Sequence, residues 1–255
     1  MTVALHALES GSGDAVVLAH AIGCDHRMWD SLAAALSPQY RVIRIDVRGH
    51  GKSPAPKGPY SLEELADDVV ALLDRQGIAR THWLGLSMGG MIGQAFALDH
   101  SDRLHRLVLA NTTSSYGPEG QKAWDARIKV VSEGGMESIV DMVMSRYFSD
   151  AFRESHPEVV KTYRERVAAT PAAGYVACCA AIRELDYTRD LGRIHSRTMV
   201  IAGDKDAGTP PSMSEEIVRR IPGAQLAVIP GAAHLSAVDS AGEFNALVRA
   251  FLAEP

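Results

Sequence analysis

The chain has 255 residues, of which 46% are hydrophobic and 22% charged, and its formal net charge is −5. This length suits one large α/β domain or a core domain with an insertion, and the composition is typical of soluble globular proteins. The slightly acidic balance gives no reason to expect nucleic acid or a membrane surface as a partner.

Cysteine use and the amino-terminal sequence bear on cellular location. The three cysteines, Cys24, Cys178 and Cys179, are too few for a secreted disulfide framework. The first residues lack the basic and then apolar pattern of a signal peptide, and no apolar run approaches ~20 residues. We therefore expect a cytoplasmic protein without a membrane span; the sequence leaves its oligomeric state open.

The first 111 residues alternate between strand and helix patterns. Strands are predicted at Val3–Leu8, Ala15–Ala19, Tyr40–Asp46, Thr81–Leu86 and Leu104–Ala110. Between them, helices are predicted around Met28–Leu36, from the capping box of Ser61 and Glu64 to Gly77, and over Met88–Leu98. Such alternation is typical of a largely parallel sheet with helices on both faces.

The pattern changes after Asn111. Four helical stretches and no convincing strand follow, at Pro118–Glu133, Met136–Tyr147, Pro157–Ala169 and Ala172–Glu184. Strand patterns return at Thr198–Ala202 and Ala224–Ile229, with helices predicted at Ser212–Arg220 and around Phe244–Leu252. We therefore predict a core domain of residues 1–111 and 194–255, with a helical cap of residues 112–193 inserted between two sheet strands.

A Gly-x-Ser-x-Gly sequence, Gly85 to Gly89, joins a predicted strand to a predicted helix. This pattern is typical of a nucleophile elbow, a sharp turn that holds the serine hydroxyl out from the edge of the sheet. Side chains in place of the two glycines would collide in such a turn. Ser87 is therefore the candidate nucleophile, although five residues also fit a strand–turn–helix that merely carries a serine.

An activated serine needs a histidine base and an acid that orients the base. Among ten histidines, His234 is favoured because its loop follows the last predicted strand, at the sheet edge where Ser87 also lies. Two carboxylates in the preceding strand-end loop, Asp204 and Asp206, compete for the role of the acid. The residues alone leave that choice open.

A developing oxyanion would need two backbone N–H donors beside Ser87. The pattern predicts the N–H of Met88 and one from the loop after Ala15–Ala19, which by position is Ile22. The alternative is that His20 to Gly23 forms only a tight turn between strand and helix.

Three other kinds of site are not indicated. Gly51-Lys52-Ser53 fails as a phosphate-binding loop because Asp46 stands where the first glycine is required. Nothing suggests a depressed thiol pKa for Cys24, and free cysteines are usually small buried residues. No set of His, Cys or acidic residues has metal-ligand spacing, so neither a metal nor a cofactor is predicted.

These residues resemble the α/β-hydrolase superfamily over nearly the whole chain. The fold implied is a mostly parallel central sheet flanked by helices, with a helical cap inserted between strands. Within the superfamily, Gly23 to Asp30, Gly85 to Gln94 and Ala173 to Asp186 are similar to 3-oxoadipate enol-lactonases. The Cys-Cys-Ala-Ala-Ile-Arg run inside the last stretch is the most specific. One departure is His20-Ala21, where these lactonases often carry Asn-Ser.

The resemblance implies an activity and favours Asp206 as the acid. Ser87 would attack the carbonyl of a five-membered enol lactone, and water activated by His234 would release 3-oxoadipate, late in bacterial catabolism of aromatic compounds (the β-ketoadipate pathway). Alternatives are another small-ester, lactone or carbon–carbon bond hydrolase of the superfamily, or a non-catalytic ligand-binding receptor.

The implied substrate carries a carboxylate, which needs a cationic partner inside a dry cleft. Trp124 and Arg127 are three residues apart on a predicted helix and so share a face. They are predicted to bind the substrate, with Arg183 as a second candidate cation. Most arginines of such a cap only solvate a helix surface. For each of the two arginines, substrate binding is therefore the weaker of the two alternatives.

Overall fold

A seven-stranded sheet forms the centre of the computed structural model, which describes residues 1–254. The strands are β1 (Ala7–Ser10), β2 (Ala15–Ala19), β3 (Arg41–Ile45), β4 (Thr81–Leu86), β5 (Leu104–Ala110), β6 (Arg197–Gly203) and β7 (Gln225–Ile229). Their order is β1-β3-β2-β4-β5-β6-β7, and every pairing is parallel except β1 with β3. The predicted α/β class with a mostly parallel sheet is confirmed.

Eleven α-helices surround or extend from this sheet in the part of the chain described. They are α1 (Asp30–Leu36), α2 (Leu62–Arg75), α3 (Met88–Asp99), α4 (Gly117–Gly134), α5 (Val140–Tyr147), α6 (Asp150–Ser155), α7 (Pro157–Ala168), α8 (Ala172–Arg183), α9 (Pro211–Arg220), α10 (Ser236–Asp239) and α11 (Ala241–Ala253). The capping box of Ser61 and Glu64 at the start of α2 is confirmed by both of its hydrogen bonds. Within residues 1–254, no helix combines the length and apolarity needed to cross a bilayer.

The continuous apolar runs in the sequence correspond to the middle strands of the sheet. All residues of β2 and β4 are buried, because helices cover both faces of the sheet. The carboxyl ends of β2, β4, β5 and β6 therefore point to one edge, where the loops that follow these strands gather.

Two sequence expectations need correction. The first strand begins at Ala7 rather than Val3, because the N–H groups of Val3 and His6 donate to the side chains of Asp68 and Ser53 instead of to a strand. The sequence pattern also missed α6, a helix of six residues with Ser149 as its N-cap. A short segment with no buried residue has too little periodicity to be recognised.

Residues 112–193, which lie between β5 and β6, are largely helical and are called the insert below. It contains α4 to α8 and, near its ends, an isolated antiparallel bridge between Ser115 and Asp186. The division into a core domain and a cap domain stays a prediction. The last residue of the predicted core segment, Pro255, lies outside the described residues.

Candidate active site

Ser87 occupies a strained turn between β4 and α3. Its backbone has φ 56° and ψ −115°, a positive φ that residues other than glycine rarely adopt, and it is the N-cap of α3. A Cβ on Gly85 would collide with the carbonyl of Gly89, and one on Gly89 with the carbonyl of Ala19. Glycine is therefore required at both positions, as predicted, and the turn forms at the edge of the sheet.

The carboxylate of Asp206 contacts His234 across the sheet edge. His234 Nδ1 lies 2.9 Å from Asp206 Oδ2, and both side chains are buried. Burial alone would raise the pKa of Asp206, but the charge of His234 and several hydrogen bonds lower it below its usual range. The carboxylate thus stays ionised and orients the imidazole through Nδ1, which leaves Nε2 free to face the cavity.

Two residues that the sequence did not indicate complete the surroundings of Asp206. Asn111 Nδ2 donates to Oδ2 at 2.9 Å and to the carbonyl of Ala233 at 3.1 Å. Thr209 donates to the same carboxylate through its hydroxyl, at 2.7 Å, and through its N–H. The available signal was that Asn111 directly follows a buried strand, a position where asparagine tolerates the positive φ of 44° observed here.

Asp204, the other candidate for the acid, has contacts with residues other than His234. Its Oδ1 accepts the N–H of Gly231 at 2.6 Å, and its Oδ2 lies 3.6 Å from Lys205 Nζ. It therefore stabilises the loop that precedes His234, whereas Asp206 contacts the imidazole itself.

The loop after β2 is held by two buried histidines. His50 Nε2 accepts the N–H of Gly23 at 2.9 Å, and His20 Nε2 accepts the N–H of Val47 at 3.0 Å. Burial lowers the pKa of both imidazoles, that of His50 to about 3, so both remain neutral acceptors. The N–H of Gly23 is thereby occupied, whereas Ile22 lines the cavity beside Ser87.

Met88 directly follows Ser87, at the first position of α3. An N–H at that position has no carbonyl partner within the helix, and the partial positive charge of the helix terminus adds to its attraction for an anion. The roles of Met88 and Ile22 as oxyanion donors stay predictions.

Tyr147, at the end of α5, connects the insert to both sides of this site. Its hydroxyl donates to the carbonyl of Ile22, and its ring stacks on His234 with centroids 5.7 Å apart. The carbonyl of Tyr147 also accepts the N–H of Leu235 at 3.1 Å. Sequence reasoning missed this residue, because nothing in the sequence relates a tyrosine of the insert to loops more than 80 residues away.

A cavity of about 590 Å³ lies between the sheet edge and the insert. Ser87, Ile22 and His234 form its floor, together with residues of the loop after β6. Its walls come mainly from α4 and α5 and include Tyr116, Trp124, Arg127, Val130, Ile139, Met142, Val143, Arg146 and Tyr147. The size and the mixture of apolar walls with a few polar groups suit a small organic molecule.

Arg127 is the polar group on the α4 wall. Its guanidinium carbon lies 5.0 Å from the ring centroid of Trp124 and 5.3 Å from that of Tyr175. Its Nε and Nη2 are buried without a hydrogen-bond partner among residues 1–254, and so is the hydroxyl of Tyr175. Buried donors without acceptors are costly, so this wall is suited to a ligand that supplies acceptor oxygens.

The chain resembles known hydrolases over most of its length. A family profile described as the alpha/beta hydrolase fold matches residues 14–241. The chain belongs to the α/β-hydrolase family. It is 36% identical to 3-oxoadipate enol-lactonase 2 of Acinetobacter baylyi, over 98% of this chain and 93% of that protein.

Two further proteins are similar to the hydrolase over nearly its whole length. The crystal structure of an enol-lactonase from Burkholderia xenovorans matches with a TM-score of 0.95 at 36% identity, covering 98% of this chain and 96% of that one. A Pseudomonas syringae protein provisionally named as the carbamate hydrolase RutD is 29% identical over 97% of this chain and 96% of its own length.

Arg183 lies away from the cavity of the hydrolase. It is the last residue of α8, and its guanidinium pairs with Asp125 at 2.5 Å and with Glu184 on the outer surface. The structure brings together the predicted residues Ser87, Asp206, His234, Met88, Ile22, Trp124 and Arg127, but not Arg183. An arginine satisfied by two surface carboxylates is not available to a ligand inside the cavity.

The fold also gathers His6, His26 and Asp46, whose ligand atoms lie within 4.8 Å of one another. Sequence spacing did not indicate this group. Both imidazole Nδ1 atoms contact Asp46, at 3.0 and 2.8 Å, and the N–H groups of His26 and Lys52 donate to the same carboxylate. The carboxylate is therefore saturated with internal hydrogen bonds, and the cluster anchors the loop after β3.

Cys24 does not have the properties of a nucleophile. It is buried, and burial raises the pKa of its thiol far above the usual range. A thiol that stays protonated at neutral pH is a packing residue rather than a reactive group.

Proposed function

We propose that this hydrolase opens a small enol lactone, 3-oxoadipate enol-lactone, to 3-oxoadipate through an acyl-enzyme. The observation that carries the proposal is that Arg127, in the cavity that Ser87 and His234 also line, has two buried guanidinium nitrogens, Nε and Nη2, without a hydrogen-bond partner. Enol-lactonases at 36% identity over nearly the full chain support the same substrate class. Under this proposal the protein acts in the cytoplasm on a small molecule of aromatic catabolism.

The chemistry begins with Ser87. His234 accepts the hydroxyl proton while the serine oxygen attacks the lactone carbonyl, and ionised Asp206 stabilises the resulting imidazolium. The N–H groups of Met88 and Ile22 donate to the oxyanion of the tetrahedral intermediate. Collapse expels the enolate oxygen of the ring, which takes the proton from His234.

The leaving group makes the ring opening hard to reverse. The expelled enol tautomerises to a ketone, so it no longer offers a hydroxyl for the reverse attack on the acyl-enzyme. Water then enters, His234 takes its proton, and a second tetrahedral intermediate releases the acid and regenerates Ser87.

The acetate arm of the lactone would lie against Arg127. A guanidinium presents parallel N–H donors that match a carboxylate, and the flanking rings of Trp124 and Tyr175 keep it in a fixed orientation. The substrate thus supplies the acceptors that the buried Nε and Nη2 lack.

Steady-state kinetics on the enol lactone beside a panel of simple esters tests the proposal. We expect the highest kcat/KM on the enol lactone and a loss of ~10⁶ in kcat in the Ser87→Ala variant. His234→Ala should lose nearly as much, because the two residues act as a unit. Higher kcat/KM on simple esters, or more than a few per cent of activity left in Ser87→Ala, would contradict the proposal.

A second candidate is the hydrolysis of a carbamate by the same residues. It is favoured by the relatives at 29% identity that carry this provisional name. Ammonia release from carbamate, measured in the same panel, distinguishes the two substrates.

A further inference from the structure

The charged side chains that line the active-site cavity are two arginines, and His234 lines it as well. The lining contains Arg127 and Arg146 and no aspartate or glutamate side chain within residues 1–254. The whole chain carries a net charge of −5, so the cavity is locally opposite in sign to the protein around it. Low-dielectric walls focus such a local field towards the mouth of a cleft.

Arg146 lies at the mouth of the cavity, in the last turn of α5. Its side chain is exposed and makes no ion pair or hydrogen bond with any residue from 1 to 254. Two partly exposed arginines of the insert, by contrast, form ion pairs, Arg153 with Asp150 and Arg164 with Asp141. A guanidinium without a counter-ion keeps its full field for an approaching anion.

The two arginines act at different depths of one cavity. Arg127 has two buried nitrogens, whereas Arg146 reaches solvent. Both guanidinium groups oppose the rise that burial causes in the pKa of Tyr116, a residue of the wall between α4 and β5. The charge of Asp206 raises the pKa of the same tyrosine, so the fields of the two arginines overlap at this wall and oppose that of Asp206.

We propose that Arg146 is a specificity-determining residue that draws anionic esters or lactones into the cavity, where Arg127 then binds them. This inference rests on the proposed function and adds to it the entry step. Arg146 belongs to the encounter rather than the chemistry, so it acts on kcat/KM for anions and leaves kcat unchanged.

The alternative for Arg146 is a purely structural role. A cation in the last turn of a helix interacts favourably with the negative end of the helix, which Arg146 does in α5. Arg75 provides a matched control, because it is also an exposed arginine in the last turn of a helix, α2, and does not line the cavity. A structural role predicts the same loss on charged and neutral substrates.

The test compares Arg146→Gln and Arg75→Gln on p-nitrophenyl hydrogen succinate, an anion, and on p-nitrophenyl butyrate, a neutral ester. We expect kcat/KM on the anion to fall ~10-fold in Arg146→Gln at low ionic strength, and the loss to shrink to about twofold at 0.5 M salt. The neutral ester and the Arg75→Gln variant should change less than twofold. Equal losses on both esters, or a loss on the anion that salt does not reduce, would overturn the proposal.

A binding measurement keeps this test separate from turnover. The association rate of adipate, a dianion, is followed through tryptophan fluorescence in a stopped-flow instrument. At low ionic strength it should fall ~10-fold in Arg146→Gln and not in Arg75→Gln. An unchanged rate in Arg146→Gln, or no binding of adipate to the wild type, would overturn the proposal even if the enol lactone is hydrolysed. Conversely, a protein that fails on the enol lactone can still pass this test.

Discussion

At the scale of single residues, hydrogen bonds between side chains fix the positions of the residues in the site. Asp206 accepts hydrogen bonds from His234, Asn111 and Thr209, so its position is determined from three directions. Asp204, only two residues away, instead binds a loop N–H. The two carboxylates therefore make different contributions, and mutation can separate them.

Asp206→Asn should leave the fold intact but lower kcat by ~10⁴, because an amide at this position favours the wrong tautomer of His234. Asp204→Asn is the matched control, and it should change kcat less than threefold, since an amide oxygen can still accept the N–H of Gly231. Steady-state kinetics and thermal unfolding of both variants check this. If kcat fell further in Asp204→Asn than in Asp206→Asn, the acid would be Asp204 rather than Asp206.

Arg127→Ala should lower kcat/KM for the enol lactone by roughly ten- to a hundredfold, mainly through KM, because a charge-assisted pair contributes ~1.5–3 kcal/mol. A neutral ester of similar size should be affected much less. Arg183→Ala is the control, since that arginine pairs with Asp125 on the surface. Equal losses of Arg127→Ala on charged and neutral substrates would mean that Arg127 only supports the insert.

At the scale of elements, α5 connects the insert to the sheet edge. Through Tyr147 it contacts the loop of Ile22 and the loop of His234, one by a hydrogen bond and the other by ring stacking. Its last turn also carries Arg146 at the cavity mouth. A displacement of α5 would therefore disturb the proposed oxyanion donor Ile22, the proposed base His234 and the cavity entrance together.

Tyr147→Phe removes the hydroxyl that binds the carbonyl of Ile22 while keeping the ring on His234. We expect kcat to fall ~10-fold, because one lost hydrogen bond, worth ~0.5–1.5 kcal/mol, loosens the loop that carries the proposed oxyanion donor, Ile22. Tyr163→Phe is the control, since Tyr163 is a buried tyrosine of the insert that does not line the cavity. A matching loss in Tyr163→Phe would indicate general loosening of the insert.

At the scale of the whole molecule, a partly buried carboxyl beside the active site links stability to pH. Burial raises the pKa of Asp239 to about 6, although the N–H of Ala233 donates to its Oδ2 at 2.7 Å. In the unfolded chain the ordinary pKa of aspartate is about 3.9. Between these values the folded state binds more protons than the unfolded state, so the free energy of unfolding falls as pH rises from about 4 to about 6.

Asp239→Asn should remove this part of the pH dependence, because the amide stays neutral and its oxygen can still accept the N–H of Ala233. At pH 7 the variant should be ~1–2 kcal/mol more stable than the wild type, a value reduced for the partial exposure of Asp239. Denaturant unfolding at pH 4 and pH 7 measures the difference, with the exposed Asp102→Asn as control. The assignment would be contradicted if the difference in the free energy of unfolding between variant and wild type were the same at pH 4 and at pH 7.

Local patterns were sufficient for much of the architecture. The apolar run of β2, the capping box of α2 and the Gly-x-Ser-x-Gly turn each depend on neighbours within a few residues, so the sequence predicts them directly. The order of Ser87, Asp206 and His234 along the chain, each after a predicted strand, also placed them at one edge. Asp206 was separated from Asp204 by family resemblance rather than by local pattern.

Local sequence patterns were thus enough to predict the class of fold, the elbow and the edge where the loops gather, because strand and helix periods and turn stereochemistry depend on near neighbours. Long-range packing, in contrast, brings Tyr147 to Ile22, 125 residues away, and Asn111 to Asp206, 95 residues away. It also placed Arg127 and Arg146 in the cavity and Arg183 outside it. These contacts depend on how the insert packs over the sheet, and no short-range pattern encodes that packing.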